Sequence, residues 1–189
     1  METKQLTVIE CSGTPREIGR QYGEAARNHI DKGLELLLDW LRNAQYHCRV
    51  DRDAVLTAAR QYLPNVQKRF PKGIERVQGM AEGAGISFDE CFAVNCFTEL
   101  VVSYPYLAPM CTSFAVTGAA TKNGQTIIGQ NVDWHPESPL DLVRTRHPDG
   151  NEHLSMTFFC APSITLSSKG LANSANLTVA PMGPVINHI

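Results

Sequence analysis

A cysteine that opens a strand gains a second function if the peptide bond before it is cut. It then carries a thiol and a free amine on one residue, a nucleophile with its own base. Cys111 stands at such a place: Tyr104-Pro105-Tyr106-Leu107-Ala108-Pro109 leads into Met110, and Cys111-Thr112-Ser113-Phe114-Ala115-Val116 follows as a strand-like run. A freed α-amine titrates near about 7.7–8, so part of it is neutral at neutral pH and able to take the thiol proton without a histidine. Asp133 returns beside Cys111 if the intervening residues form a hairpin, where it would orient the amine or stabilise its charged form. Gln130 and Asn131 would donate to an oxyanion or a substrate carbonyl, and the Thr112 hydroxyl follows the nucleophile directly. Plainer readings stand beside these: a small buried hydrophobe for Cys111, a turn carboxylate capping Trp134-His135-Pro136 for Asp133, and hairpin-end hydrogen bonding for Gln130 and Asn131.

No metal centre is expected. The six cysteines (Cys11, Cys48, Cys91, Cys96, Cys111, Cys160) show neither CxxC nor zinc spacing, and His135, His147, His153 and His188 are scattered without helical HxxxH pairing. Closeness of His135 to Asp133 leaves one alternative open, a Cys111/His135 hydrolase that is never cut. Glu24, Arg27 and Asp31 read as a solvated helix face.

The elements that must position this chemistry divide near residue 110. Before it the period is helical. Leu6 to Cys11 is a strand-like run, and Thr14 with Pro15 starts a helical pattern that extends from Arg16 to about Gln45. Its face carries Ile18, Tyr22, Ile30, Leu34 and Leu41, and Gly19 and Gly23 would let another element approach closely. A helix from Asp51 to Tyr62 stops near Pro64; another runs from Pro71 to Ala84 and ends at Gly85. Ser87 and Glu90 form a capping box for a largely apolar helix through Phe92, Val94, Phe97, Leu100 and Val101. After residue 110 strands are expected at Cys111–Thr117 and Gln125–Asn131, joined at Lys122-Asn123-Gly124. A second hairpin, Leu140–His147 with His153–Cys160, turns at Asp149-Gly150, and Ser167 onward reads as a turn leading to another strand near Val179.

The chain has a hydrophobic content of 43% and 17 basic against 19 acidic residues, enough apolar material for a core and no basic block to attract nucleic acid or an anionic membrane. A small-molecule substrate suits this balance. The amino terminus lacks a secretory apolar region and no run approaches a membrane span, so a cytoplasmic protein with reduced thiols is expected.

Taken together, Cys111-Thr112-Ser113-Phe114 and Gly129-Gln130-Asn131-Val132-Asp133-Trp134 resemble the acyl-coenzyme A:6-aminopenicillanic acid acyltransferase (isopenicillin N acyltransferase-like) family, autoproteolytic hydrolases and acyltransferases with an N-terminal nucleophile (Ntn). Gly13-Thr14-Pro15-Arg16-Glu17-Ile18-Gly19-Arg20-Gln21-Tyr22-Gly23 is similar to the family's pro-segment, and Gly170-Leu171-Ala172-Asn173-Ser174-Ala175 to its later glycine-leucine-asparagine turn. The resemblance implies an α+β fold, the αββα Ntn sandwich, with a mostly helical pro-segment over 1–110 and the start of the catalytic β-sheet over 111–189. It implies a zymogen cut between Met110 and Cys111, with Cys111 as nucleophile and Asp133 beside its amine. The reaction implied is cleavage of an amide C–N bond, or acyl transfer, through a thioester. No metal or prosthetic group is needed, and a coenzyme A thioester would serve as acyl donor.

Several residues depart from the family pattern. Ala172 is an extra residue in the third block, Asn176 stands where the family has glycine, and Met110 precedes the cysteine where the best-known member has glycine. Gln130 occupies a position that is arginine in distant Ntn relatives. The family also continues beyond the length given, so the sandwich is expected to be incomplete and the chain to form a homo-oligomer or to associate with missing C-terminal strands. A truncated, inactive homologue serving as a binding or interaction module is the remaining alternative.

Overall fold

The computed structural model describes residues 7–44, 51–102, 111–133 and 136–176. Cys48, the proline-containing linker, Met110, Trp134, His135, His188 and the strand expected near Val179 lie outside these residues. Among the described residues the architecture is α+β, with two sheets. The order is β1 (Val8–Ser12), α1 (Pro15–Ala25), α2 (Arg27–Ala44), α3 (Arg52–Arg60), α4 (Leu63–Arg69), α5 (Pro71–Ala84), α6 (Phe88–Asn95), α7 (Phe97–Val102), β2 (Cys111–Gly118), β3 (Gly124–Val132), β4 (Leu142–Arg146), β5 (Glu152–Phe158), β6 (Ala161–Ser167) and β7 (Ala172–Asn173).

Local chemistry accounts for most helix ends. Thr14 and Glu17 satisfy each other's backbone donors at the start of α1, and Ser87 and Glu90 do the same for α6. Asp51 Oδ1 accepts from the Ala54 N–H at 2.8 Å to start α3. Gly85, at φ +72°, closes α5 in the left-handed conformation that glycine adopts without a Cβ penalty. Two boundaries differ from expectation. The long first helix is broken at Ala26, where the backbone leaves helical geometry before α2 begins. α3 stops at Arg60, shortly before Pro64 as expected, but Pro64 itself sits in the first turn of a further helix, α4, where its missing N–H has no intrahelical role.

The closest packing in the molecule is between α1 and α5. They run side by side in the same direction, Gly19 and Gly23 against Arg76 and Met80, and Gly79 and Gly83 against Arg16 and Arg20. A Cβ at any of the four would fall closer than 3.0 Å to a backbone carbonyl of the other helix, so only glycine fits. Around this pair lies a core that includes Ile18, Tyr22, Ile30, Leu37, Met80, Phe92 and Val94.

The main sheet has the order β1-β4-β5-β6-β7. β1 pairs parallel with β4 (Ile9 opposite Val143, Cys11 opposite Thr145), and the other neighbours are antiparallel. One face, with Cys11, Val143, Thr145, Ser155 and Thr157, is buried. The other bears the cross-strand row Leu142-Met156-Ile164, all partly exposed, and Leu154 opposite Leu166, which is 54% exposed. The strand pairs expected at Cys111–Thr117/Gln125–Asn131 and Leu140–His147/His153–Cys160 are present as Cys111–Gly118/Gly124–Val132 and Leu142–Arg146/Glu152–Phe158. β6 was not expected. It follows a two-residue turn, Phe159-Cys160, with both residues at positive φ (46° and 64°) but without the glycine or asparagine that announces such a turn. Both side chains are buried, and burial holds them in a conformation their own sterics disfavour.

Candidate functional site

β2 and β3 form a separate two-stranded antiparallel sheet. Cys111 lies opposite Val132, Thr112 opposite Asn131, Ser113 opposite Gln130 and Phe114 opposite Gly129. Directly opposed residues share a face, with Cβ atoms about 4.5–5.5 Å apart. Cys111, Ser113, Gln130 and Val132 therefore project from one face; Thr112, Phe114, Asn131 and Gly129 belong to the other. The Phe114 ring packs flat over Gly129, so close that any Cβ there would collide with it.

Antiparallel pairing also places Asp133. Because β3 runs against β2, the step from Val132 to Asp133, about 3.8 Å between Cα atoms, moves past Cys111 toward its backbone nitrogen. Asp133 is exposed there as the first residue after the strand, and Cys111 is half-buried. The register therefore sets Asp133, singled out by the sequence, one step beyond the residue opposite Cys111. Thr112 and Asn131 meet each other, but on the face away from the Cys111 thiol. The Gln130 amide is already engaged: its Oε1 accepts from the Ala175 N–H at 3.0 Å, and its Nε2 donates to the Ala175 carbonyl at 2.5 Å.

The remaining described cysteines are of a different kind. Cys11, Cys91, Cys96 and Cys160 are buried and unpaired. Burial pushes the thiols of Cys96 and Cys160 up to about 12, and raises those of Cys11 and Cys91 as well. Such thiols stay protonated and inert, as the sequence suggested for most of them. Among the described residues no group of three or more His, Cys, Asp or Glu side chains is placed to share a metal ion, and no helix is long and apolar enough to cross a membrane.

Two polar features escaped the sequence reading. The first is a buried node where the helices meet the sheet. Tyr22 donates to Asp141 Oδ2 at 2.6 Å, His29 Nδ1 lies 2.6 Å from Asp141 Oδ1, and Asp141 and Thr157 exchange backbone and hydroxyl hydrogen bonds. Burial drives the Tyr22 phenol far above its ordinary range, so it keeps the proton that it donates to Asp141. A tyrosine read as one apolar helix position and an aspartate in a loop give no sequence signal of such a bond. Elsewhere, His147 Nε2 lies 3.2 Å from His153 Nδ1, and burial together with the neighbouring ring lowers the His147 pKa.

The second feature is Arg76 on α5, whose Nε and Nη2 are buried without a hydrogen-bond partner. A guanidinium remains charged at any ordinary pH, so its desolvation is uncompensated here. Arg76→Met keeps the packing of the aliphatic stem and removes the charge. The expected result is a gain of about 1–2 kcal/mol in urea unfolding, the range typical of replacing an uncompensated buried polar group by an apolar one. A loss of stability would mean that the guanidinium is solvated after all.

No family model matches the chain. Among curated proteins, it is 26% identical over 136 residues to the 40 kDa form of the acyl-coenzyme A:6-aminopenicillanic-acid-acyltransferase of Emericella nidulans, an alignment that covers 72% of this chain. The same alignment takes in 36% of that protein, so the chain spans little more than a third of its relative, and it is to an acyltransferase that this sequence is similar.

Proposed function

We propose that the chain is the amino-terminal part of an acyltransferase or amidohydrolase that activates itself by cutting between Met110 and Cys111. The observation that carries this reading is the β2–β3 register: Cys111 opens β2 opposite Val132, and the chain passes from Val132 directly to Asp133. Distant similarity to an acyltransferase supports the same chemistry.

In the self-cleavage step the Cys111 thiol attacks the carbonyl carbon of Met110. The amide nitrogen leaves as an amine bearing the thiol proton, and a thioester joins Met110 to Cys111. Water then hydrolyses the thioester, releasing the Met110 carboxylate and restoring the thiol. The new α-amine, held by Asp133, is the base for turnover. It takes the thiol proton as sulfur attacks a substrate carbonyl and returns it to the departing amine or thiolate. The acyl group on Cys111 passes to an amine or to water. A small-molecule amide or a coenzyme A thioester fits this scheme.

Intact mass and amino-terminal sequencing of the purified protein, beside a Cys111→Ala control, test the reading. Two fragments split between Met110 and Cys111, absent from the control, are the expected result. A single uncut chain in both samples would sink it. That outcome would favour a binding module instead, a reading supported by the partly exposed apolar row of the main sheet and by Phe114 and Ile127 on the hairpin, 57% and 50% exposed.

A further inference from the structure

We propose that Gln130 is a positioning residue: it fixes the segment Ser174-Ala175-Asn176 over the face of β2–β3 from which the Cys111 thiol projects, making that segment one wall of the acyl-binding site. The inference rests on the acyl-transfer reading of Cys111.

Its basis is the geometry of the contact. A primary amide carries a donor and an acceptor side by side, and both are used on the main chain of one residue, Ala175. This reproduces the paired N–H and C=O exchange of two antiparallel strands, so it fixes orientation as well as position. Gln130 stands directly opposite Ser113 and diagonal to Cys111, on the same face as both. Diagonal neighbours in such a ladder are about 7–8 Å apart, which holds Ala175 within reach of an acyl chain carried on Cys111.

The segment is tied down at its other end too. Asn173 Oδ1 accepts from the Thr165 N–H at 3.1 Å, and its Nδ2 donates to the Ser163 carbonyl at 2.8 Å, both on β6. Residues 173 to 175 therefore form a strap from the main sheet to the hairpin that carries Cys111. Side-chain amides anchor both ends, and each makes two hydrogen bonds to the main chain. Gln130 acts through this strap and not by touching the reacting atoms, since its Oε1 and one Nε2–H are both committed to the Ala175 main chain.

The test uses the full chain and Gln130→Ala and Gln130→Glu variants. Glutamate retains an acceptor for the Ala175 N–H but presents no donor to the Ala175 carbonyl, and it guards against a simple folding failure of the alanine variant. Amide exchange at Ala175 should accelerate at least tenfold in Gln130→Ala. Alkylation of Cys111, followed by mass, is compared for plain chloroacetamide and a chloroacetamide bearing an apolar acyl-like tail. The unsubstituted protein should favour the tailed reagent. Gln130→Ala should lose that preference, and Gln130→Glu most of it, with the plain reagent's rate unchanged. A chain that cuts itself at Cys111 but keeps the tail preference in both variants overturns the role of Gln130 alone. An unsubstituted chain that stays uncut overturns the acyl-transfer reading, and the wall with it.

Discussion

Gly79→Ala is expected to destabilise the protein by about 3 kcal/mol or more. Small-to-large changes in a packed interior cost about 1–3 kcal/mol when side chains can move aside; here the obstacle is the Arg16 carbonyl on the facing backbone, which cannot. One methyl group must push two helices apart along a contact lined by four glycines. The intrinsic helix preference of alanine, about 1 kcal/mol, offsets only part of this. Gly73 is the control. It lies in the same helix with its nearest neighbour, the Phe70 Cβ, at 3.7 Å, so Gly73→Ala should stabilise by about 0.5 kcal/mol. Urea unfolding of both variants gives the comparison. Equal and small effects would show that α1 and α5 do not touch backbone to backbone in solution.

Asp141→Ala is expected to cost about 3 kcal/mol. Hydrogen bonds to a charged partner contribute about 1.5–3 kcal/mol each, and a buried donor left without an acceptor costs about 1–3. Asp141 takes a hydrogen bond from the buried Tyr22 hydroxyl and pairs with His29, which is half-exposed and so adds less. Asp141→Asn retains an acceptor for Tyr22 and should lose roughly half as much. The decisive measurement is the double variant with Tyr22→Phe. With the hydroxyl gone, removing the carboxylate leaves no orphan donor, and the loss in the double variant should fall short of the sum of the two single losses by about 1 kcal/mol or more. Additive losses would show that the bond contributes nothing.

The parts foreseen from sequence were those with short-range signals. Capping boxes at Thr14/Glu17 and Ser87/Glu90, the glycine stop at Gly85 and the asparagine–glycine turn before β3 each act over a few residues, and each sits where its chemistry implied. Gly19 and Gly23 announced a close approach, though not that Gly79 and Gly83 would answer them. β6 went unseen because its turn is built from Phe159 and Cys160 and because Pro162 lies near its start, at a register shift in the pairing. In the candidate site, hairpin spacing was enough to pair the strand that opens at Cys111 with the strand that leads to Asp133. It gave no warning that Gln130 would reach Ala175, since nothing local links residues 45 apart in sequence. The Tyr22–Asp141 bond, across 119 residues, is of the same kind.

The first strand of the chain has a timing problem. β1 finds its neighbour in β4, where Glu10 and Arg144 are 134 residues apart. At about 5–20 residues per second of synthesis, that neighbour is made roughly seven to twenty-seven seconds after β1 itself. Throughout that interval Ile9 and Cys11 have a helix to lean on but no strand to bond. A bond broken at residue 110 within that window would release a piece whose leading strand never meets its partner, an aggregation-prone orphan. If the chain cuts itself as proposed, the cut would have to be slower than translation, and a mutation that hastens it should lower the yield of assembled protein.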